Sequence, residues 1–516
     1  MNATTAVVAL AYFLLIVYFT RRGVSKGVAS LDEFTIGGWG LGPVLNVAFF
    51  TATWVSAASV LGVPGLLYGN GFATVTGWFG GWFFANALLP IIAFKIRRPE
   101  FPVRTIPEFL RLRYEPFAEK SGLQVYAALI MVAGYLSYMT IQIAGIGYIV
   151  SALTGIPYEL SILVFLVFVM ITVLGGVWSV AITDLFNVIV LVIGLVIAAF
   201  TVLPQVGGWS EMFARAMTID TPATPGATPM IPGEFFSPLG TFTLGAMIGV
   251  FLSNSLGASV APHWPTRLLS AKDVRTAVLT PMLSNGIIGL IFICLLILGV
   301  GGRVLVPTMP DGMATDQIVP LLATDFMNPA VAGILLAAIF AAALSTANGM
   351  VLHTAIAGTY DIFRNLRKER VDDHALIRLT QILLMIMAVI ATLLSIRPPA
   401  FIALLATYVF GAFGTAFIAP MYLGLYWKRA NRQGAWVSTL IGPVTFVSLL
   451  VAVELGWYSG VVPPVLIAIG ASVAGMIVCT LVFPAAPREA WEPYFEETIS
   501  PETKRVIDRA MKNIAR

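Results

Sequence analysis

The sequence predicts an all-α integral membrane protein of about thirteen transmembrane helices, ten of them forming a five-plus-five inverted repeat with three peripheral helices. Three observations carry that prediction: an apolar composition, a one-sided distribution of basic residues, and two polar, Gly/Pro-interrupted runs in corresponding positions of two halves. Of 516 residues, 58% are hydrophobic and 11% charged, against about 25% charged in a soluble domain. Only a bilayer solvates that much apolar surface. Cys294 and Cys479 both lie within apolar runs, which excludes a disulfide framework and leaves no spacing for a metal site.

Apolar runs of about 18 residues or more read as spans. They fall at roughly 3–20, 42–68, 73–95, 123–153, 157–175, 179–203, 240–262, 276–300, 329–360, 375–396, 400–427, 434–454 and 460–483. No positive charge precedes the first run, and Arg21 and Arg22 follow it, so it reads as a permanent helix with its N-terminus outside rather than a cleaved leader. Residues 1–40 are then a first helix and inner linker, and 41–203 the first half, spans two to six. A Pro-, Thr- and Gly-rich outer loop occupies 204–239, a surface cap rather than a domain. The second half, spans seven to eleven, covers 240–427; two peripheral spans fill 428–483; a polar cytoplasmic tail takes 484–516. All but three of the 30 Lys and Arg residues fall in the segments this topology places inside, the exceptions being Arg215, Arg303 and Arg397. That is the asymmetry expected of a multi-pass cell-membrane protein with its C-terminus in the cytoplasm.

Span two carries Thr51, Thr53, Ser56 and Ser59 at its middle, then Gly62, Pro64 and Gly65. Span seven carries Ser253, Asn254, Ser255, Gly257, Ser259 and Pro262. The two lie five spans apart, as in inverted repeats whose discontinuous helices meet at a midplane binding site. Small residues also serve close helix packing, but unwound backbone at mid-membrane is tolerated only beside a cavity, an ion or a ligand.

The stretch AAALSTANGM, 341–350, sets polar groups into an apolar run. Ala342, Ser345 and Thr346 share one helical face. Two hydroxyls and one carbonyl there, with freed carbonyls of Ala52 and Val55 from span two, make five uncharged oxygens suited to a hard monovalent cation. The alternative has each hydroxyl bonding back to a carbonyl one turn earlier. Asp184, in GGVWSVAITD, is the one acid placed well inside a span. Intramembrane acids are functional candidates by default; Asp184 suits an ion exit route or a second cation held with Ser345 or Thr346.

Seven ordered motifs, over roughly residues 30 to 435, resemble the sodium/solute symporter family: LDEFTIGG, SAASVLGVPGLLYGNG, TIPEFLRLRYEP, GGVWSVAITD, PHWPTRLLSAKD, AALSTANG and GLYWKRANRQGA. The resemblance implies a leucine-transporter-like fold and sodium-coupled uptake by alternating access. It assigns the main sodium site to Ala52, Val55, Ala342, Ser345 and Thr346, and associates Asp184 with a second sodium or ion release. A hydroxyl expected in that second site is Ala342 here, and a common Gln is Asn187.

The resemblance also implies a substrate pocket at Ser59, Trp78, Asn254 and Thr407, with Ser56, Tyr138, Gln142 and Tyr408 nearby. Trp78 and Tyr138 equally suit aromatic packing between helices. An aromatic inner gate of sugar carriers is Gly257 here, and Arg267 matches a basic residue near the inner gate, although positive-inside topology alone accounts for it. No acid or base lines this pocket, so a small carboxylate (monocarboxylate or pantothenate-like) is the expected substrate, with a proline-like amino acid or a sugar as alternatives. A proton-coupled carrier using Asp184 or His353, or a transporter-fold sensor, are rivals of another class. No nucleophile–base constellation or phosphate loop points to an enzyme. The expected partners are the solute, sodium and lipid, with no nucleic acid and a monomer sufficient for transport.

Overall fold

The computed structural model describes residues 3–98, 102–367, 371–397 and 402–515. Among these the chain is helical throughout. Ten helices are long and apolar enough to cross a membrane, and an eleventh crossing is a pair, Pro43–Trp54 and Ala58–Asn70, bent by 53°. Length and composition thus identify ten to eleven crossings, against about thirteen read from sequence. The sequence runs at 3–20 and 157–175 correspond to Ala3–Gly27 and the 16-residue Tyr158–Val173, which stand outside that tally.

We label the helices that position the site in chain order: α1 (Ala3–Gly27), α2 (Pro43–Trp54), α3 (Ala58–Asn70), α4 (Val75–Ile96), α5 (Gly122–Thr154), α6 (Gly176–Gln205), α7 (Leu244–Leu269), α8 (Pro329–Arg364) and α9 (Leu405–Tyr426). α8 is the axle of the molecule: Leu335 to Ala357 is buried without interruption, and α1, α5 and α6 pack around it. Ala, Gly and Ser dominate its sequence, which lets neighbouring backbones approach closely. Its start is fixed by Asn328, whose side chain accepts the amides of Ala330 and Val331 at 3.1 Å each, with Pro329 in the first turn. That satisfies amides a helix start leaves without partners.

The loop at 204–239 is a folded cap. Buried Arg303 donates to the carbonyls of Thr221 at 2.5 Å and Pro222 at 3.2 Å, and Phe72 donates its amide to Phe235 at 2.8 Å. On the opposite end, a short helix Arg488–Phe495 docks through Lys95, which donates to the Tyr494 carbonyl at 2.9 Å, and through Lys428, 2.8 Å from Glu496. A two-bond bridge ties the linker before α2 to the end of α7: Leu41 donates to Ser270 at 3.1 Å and accepts from Lys272 at 2.9 Å.

Candidate functional site

The break between α2 and α3 falls at Val55, which is extended (φ −99°, ψ 111°). It precedes Gly62, Pro64 and Gly65; those residues lie inside α3, the first of them in a wide π turn over Ala58–Gly62. Side chains satisfy the backbone groups the break frees. Ser59 accepts the Ser56 amide at 3.2 Å and donates to the Trp54 carbonyl at 3.3 Å. Gln142 of α5 accepts the Ala57 amide at 2.8 Å. α7 counts as one 26-residue crossing, yet it too is interrupted, between Val260 and His263. Its irregularities are a π turn over Ser253–Gly257 and an extended Ala261 (ψ 119°).

Four of the five predicted cation ligands converge beside this break. Ser345 donates to the carbonyls of Ala52 and Ala342, both at 3.0 Å, and Thr346 approaches the Ala52 carbonyl at 3.5 Å. Ser345 thus bonds both back along α8 and across to α2, while Thr346 turns toward α2. Val55, the fifth, ends α2, so its carbonyl is released from the helical ladder.

Above the break lies a polar and aromatic cluster. Ser56 lies 3.2 Å from the Tyr138 hydroxyl and 3.4 Å from the Ser59 hydroxyl. Asn254 accepts from Trp82 at 3.1 Å and donates to Val250 at 2.9 Å and Thr407 at 3.3 Å. Trp54 stacks on Trp264 with ring centres 3.8 Å apart, and Trp82 joins Trp54 to Trp78 at 4.9 and 5.9 Å. Phe410 joins Trp264 to Tyr138 at 5.1 and 5.3 Å. The indole N–H groups of Trp54, Trp78 and Trp264 and the Gln142 amide nitrogen are buried without an acceptor. Ser56, Ser59, Trp78, Tyr138, Gln142, Asn254 and Thr407 therefore belong to one region. Tyr408 does not join them. It is 39% exposed and, with Thr407 beside it, lines a cavity of about 290 Å³ bounded by Phe242, Phe446 and Pro463. Trp54, Trp82, Trp264 and Phe410 are members that sequence reasoning did not single out; a Trp flanking each irregularity, in TATWVS and APHWPT, was the available signal.

Asp184 is fully buried and pairs with Arg267, 1% exposed, at 3.1 Å. The Arg267 guanidinium also lies 3.4 Å from the centre of the Phe49 ring. Asn187 accepts from the Tyr12 hydroxyl at 2.9 Å. Gly257 is pressed against α9: a Cβ there would meet the Phe410 carbonyl oxygen at 2.3 Å. His263 and His353 are buried beside Tyr135, with ring centres 5.5 and 6.1 Å from it.

Residues 34–442 match the profile of the Sodium:solute symporter family. The chain is 26% identical over 486 residues to a sodium/pantothenate symporter of Escherichia coli (strain K12), covering 91% of this chain and 95% of that one. It is 25% identical over 481 residues to the osmoregulated proline transporter OpuE of Bacillus subtilis (strain 168), covering 92% and 94%. A solved sodium-coupled sialic acid symporter, in a substrate-bound outward-open state, superimposes with a TM-score of 0.76 at 20% identity, covering 94% of this chain and 99% of that one. That likeness gives the fold, the inverted-repeat architecture of the leucine-transporter type.

Proposed function

The chain belongs to the sodium:solute symporter family, a multi-pass membrane carrier that couples solute movement to sodium, and from that premise we propose that its solute is a small carboxylate. One observation carries this reading: the cluster beside the break offers donors and no charged side chain. Three buried indole N–H groups and the Gln142 amide stand without acceptors, next to the hydroxyls of Ser56, Ser59 and Tyr138. Buried donors left unpaired are costly, and a carboxylate supplies only acceptors, so such a ligand answers them all. A sugar brings donors of its own as well as acceptors, and a zwitterionic amino acid brings an ammonium for which the cluster holds no carboxylate.

We place sodium among the oxygens of Ala52, Val55, Ala342, Ser345 and Thr346. There it ties α2 to α8, stabilising the outward-open form against which the solute binds. Coupling is this difference in affinity between two states. Each charge moved down ~100 mV contributes about 2.3 kcal/mol. Gating falls to the contacts of Gly257 and Arg267. The N-terminus lies outside, a single chain suffices, and residues 41–203 and 240–427 form the two repeats.

The test is thermal stability of the purified protein with carboxylates, amino acids and sugars, each in sodium or potassium. Stabilisation by a carboxylate in sodium alone is expected. Stabilisation by a sugar or an amino acid instead, or equally in potassium, overturns the proposal.

A further inference from the structure

Asp361 lies in the wide π turn, Ala357–Arg364, that ends α8. It is fully buried, and among the described residues the side chains that bond to it are neutral. Thr105 donates its hydroxyl to Asp361 Oδ1 at 2.7 Å, and Gln124, in the first turn of α5, donates its amide nitrogen to the same oxygen at 2.8 Å. Thr105 also caps the short helix Ile106–Tyr114, accepting the Glu108 amide at 3.1 Å. Asp361 thus joins three elements at one point.

The cations nearby are engaged elsewhere. Arg104 meets Asp32 at 2.6 Å and Glu108 at 3.5 Å. Arg111 donates to the Ala118 carbonyl at 3.1 Å, and Lys120 to the Leu366 carbonyl at 2.5 Å. Arg364 lies over the Tyr360 ring, 5.3 Å from its centre, and Tyr360 donates to Glu108 at 2.7 Å. The helix Asp373–Leu394 reaches the π turn through Thr380, 2.8 Å from Thr359, while its Asp373, His374 and Arg378 are exposed. The charged neighbour that acts on Asp361 is Glu108, a second carboxylate.

Two buried oxygens are left without a donor, Asp361 Oδ2 and Gln124 Oε1. They belong to the two side chains that already share one bond. An ionised carboxylate and an amide oxygen only accept, so neither satisfies the other; protonation gives the carboxyl an O–H to donate. Acid and amide can then pair head to head, N–H to one oxygen and O–H to the other. The first of those bonds is the one at 2.8 Å.

We propose that Asp361 binds a proton and shares it with Gln124, and that this neutral acid–amide pair latches the Ile106–Tyr114 helix to α5 and α8. A buried carboxylate with no positive partner neutralises rather than stays charged. An alkali ion needs several oxygens, as hard cations do, and two orphaned ones fall short. Loss of the proton sets a carboxylate against the Gln124 oxygen and adds its charge to that of Glu108 in a medium that screens poorly. The latch therefore loosens as pH rises.

Infrared difference spectroscopy on the purified full-length chain reads the C=O stretch of a protonated carboxyl directly, without any knowledge of the solute. At neutral pH, parent minus Asp361→Asn should show one such band, and Gln124→Leu should move it to higher frequency as its hydrogen bonds are lost. Melting temperature should fall more steeply for the parent than for Asp361→Asn as pH rises from mildly acidic to neutral, because the folded chain keeps a proton that the unfolded chain gives up. No band in the difference, a band unmoved by Gln124→Leu, or parallel melting curves overturns the proposal. If Gln124→Leu does not fold, the Asp361→Asn comparison still decides whether the proton is held. Loss of bound sodium-22 or rubidium-86 in Asp361→Asn would place an alkali ion there instead, and overturns it too.

Discussion

Ser345 donates its hydroxyl to the carbonyl of Ala52 at 3.0 Å, across 293 residues of sequence. The same hydroxyl reaches Ala342 at 3.0 Å, so one side chain joins two helices at the point where one of them is interrupted. A cation entering between them replaces hydrogen bonds among oxygens with direct ligation, the hydroxyls turning their lone pairs inward.

Thr346→Ala removes one oxygen of the proposed ligand set with little change in packing. An interaction with a charged group is worth about 1.5–3 kcal/mol, or roughly a ten- to hundredfold change in affinity. The sodium concentration giving half-maximal thermal stabilisation should rise by that factor, with choline as the balancing ion. An unchanged midpoint removes Thr346 from the ligand set.

Asn254→Ala leaves the Trp82 indole N–H without its partner at 3.1 Å, whereas Thr407→Val gives up the longer bond to Asn254 at 3.3 Å and leaves Trp82 paired. An unpaired buried donor costs about 1–3 kcal/mol. In thermal unfolding of purified protein, Asn254→Ala should therefore melt well below Thr407→Val. The reverse order would show that the Asn254–Trp82 bond does not hold α7 to α4.

Trp264→Ala deletes half of the 3.8 Å stack with Trp54. Removing a buried Trp side chain costs about 3–5 kcal/mol, and Trp264→Phe keeps an aromatic face and most of the packing. A large loss of melting temperature for Ala with a small one for Phe is expected. Equal losses would show that an aromatic face on Trp54 is not what holds this position.

Glu115 lies outside the membrane spans, in the loop after Ile106–Tyr114. Burial pushes its carboxyl up, but bonds from Ser121 at 2.6 Å, Trp436 at 2.9 Å and Arg432 at 2.6 Å outweigh that and hold it below its usual value of 4.5. With the folded value the lower one, the contribution is fully present above 4.5 and disappears as pH falls through the folded value. The parent should lose melting temperature more steeply than Glu115→Gln as pH drops below 4.5. Parallel curves for the two would sink the prediction.

Composition and local spacing were legible along the chain; contacts between distant residues were not. Apolar runs and basic loops gave the class, and Ser345, Thr346 and Ala342 could be set on one face because helical periodicity is local. The break itself was legible: carbonyls of Ala52 and Val55 were expected to be freed, and the helix is interrupted at Val55. The break falls at Val55 because Ser59 and Gln142 are there to satisfy the freed amides, and Gln142 comes from another helix. A matching break in α7 was expected from its Gly and Pro, and the helix is interrupted at the extended Ala261 just before Pro262, beyond a π turn over Ser253–Gly257, although its two parts bend too little to separate as the α2–α3 pair does. Thr407 and Tyr408 both line the peripheral cavity, but neighbouring helical residues point about 100° apart, and Thr407 is the one that meets Asn254. The pairing of Asp184 with Arg267 spans 83 residues and has no local signature.

The close approach at Gly257 sets a rule for anyone wishing to retool selectivity. A Cβ at 257 runs into the Phe410 carbonyl, and one at Gly414 would lie 2.7 Å from the Gly257 Cα; both obstacles are main-chain atoms, which no rotamer can move aside. Grafting the aromatic of a sugar-carrying cousin onto this spot is therefore not a point change. A productive library would vary 257, 411 and 414 in concert, letting the second rod back away before the new ring arrives.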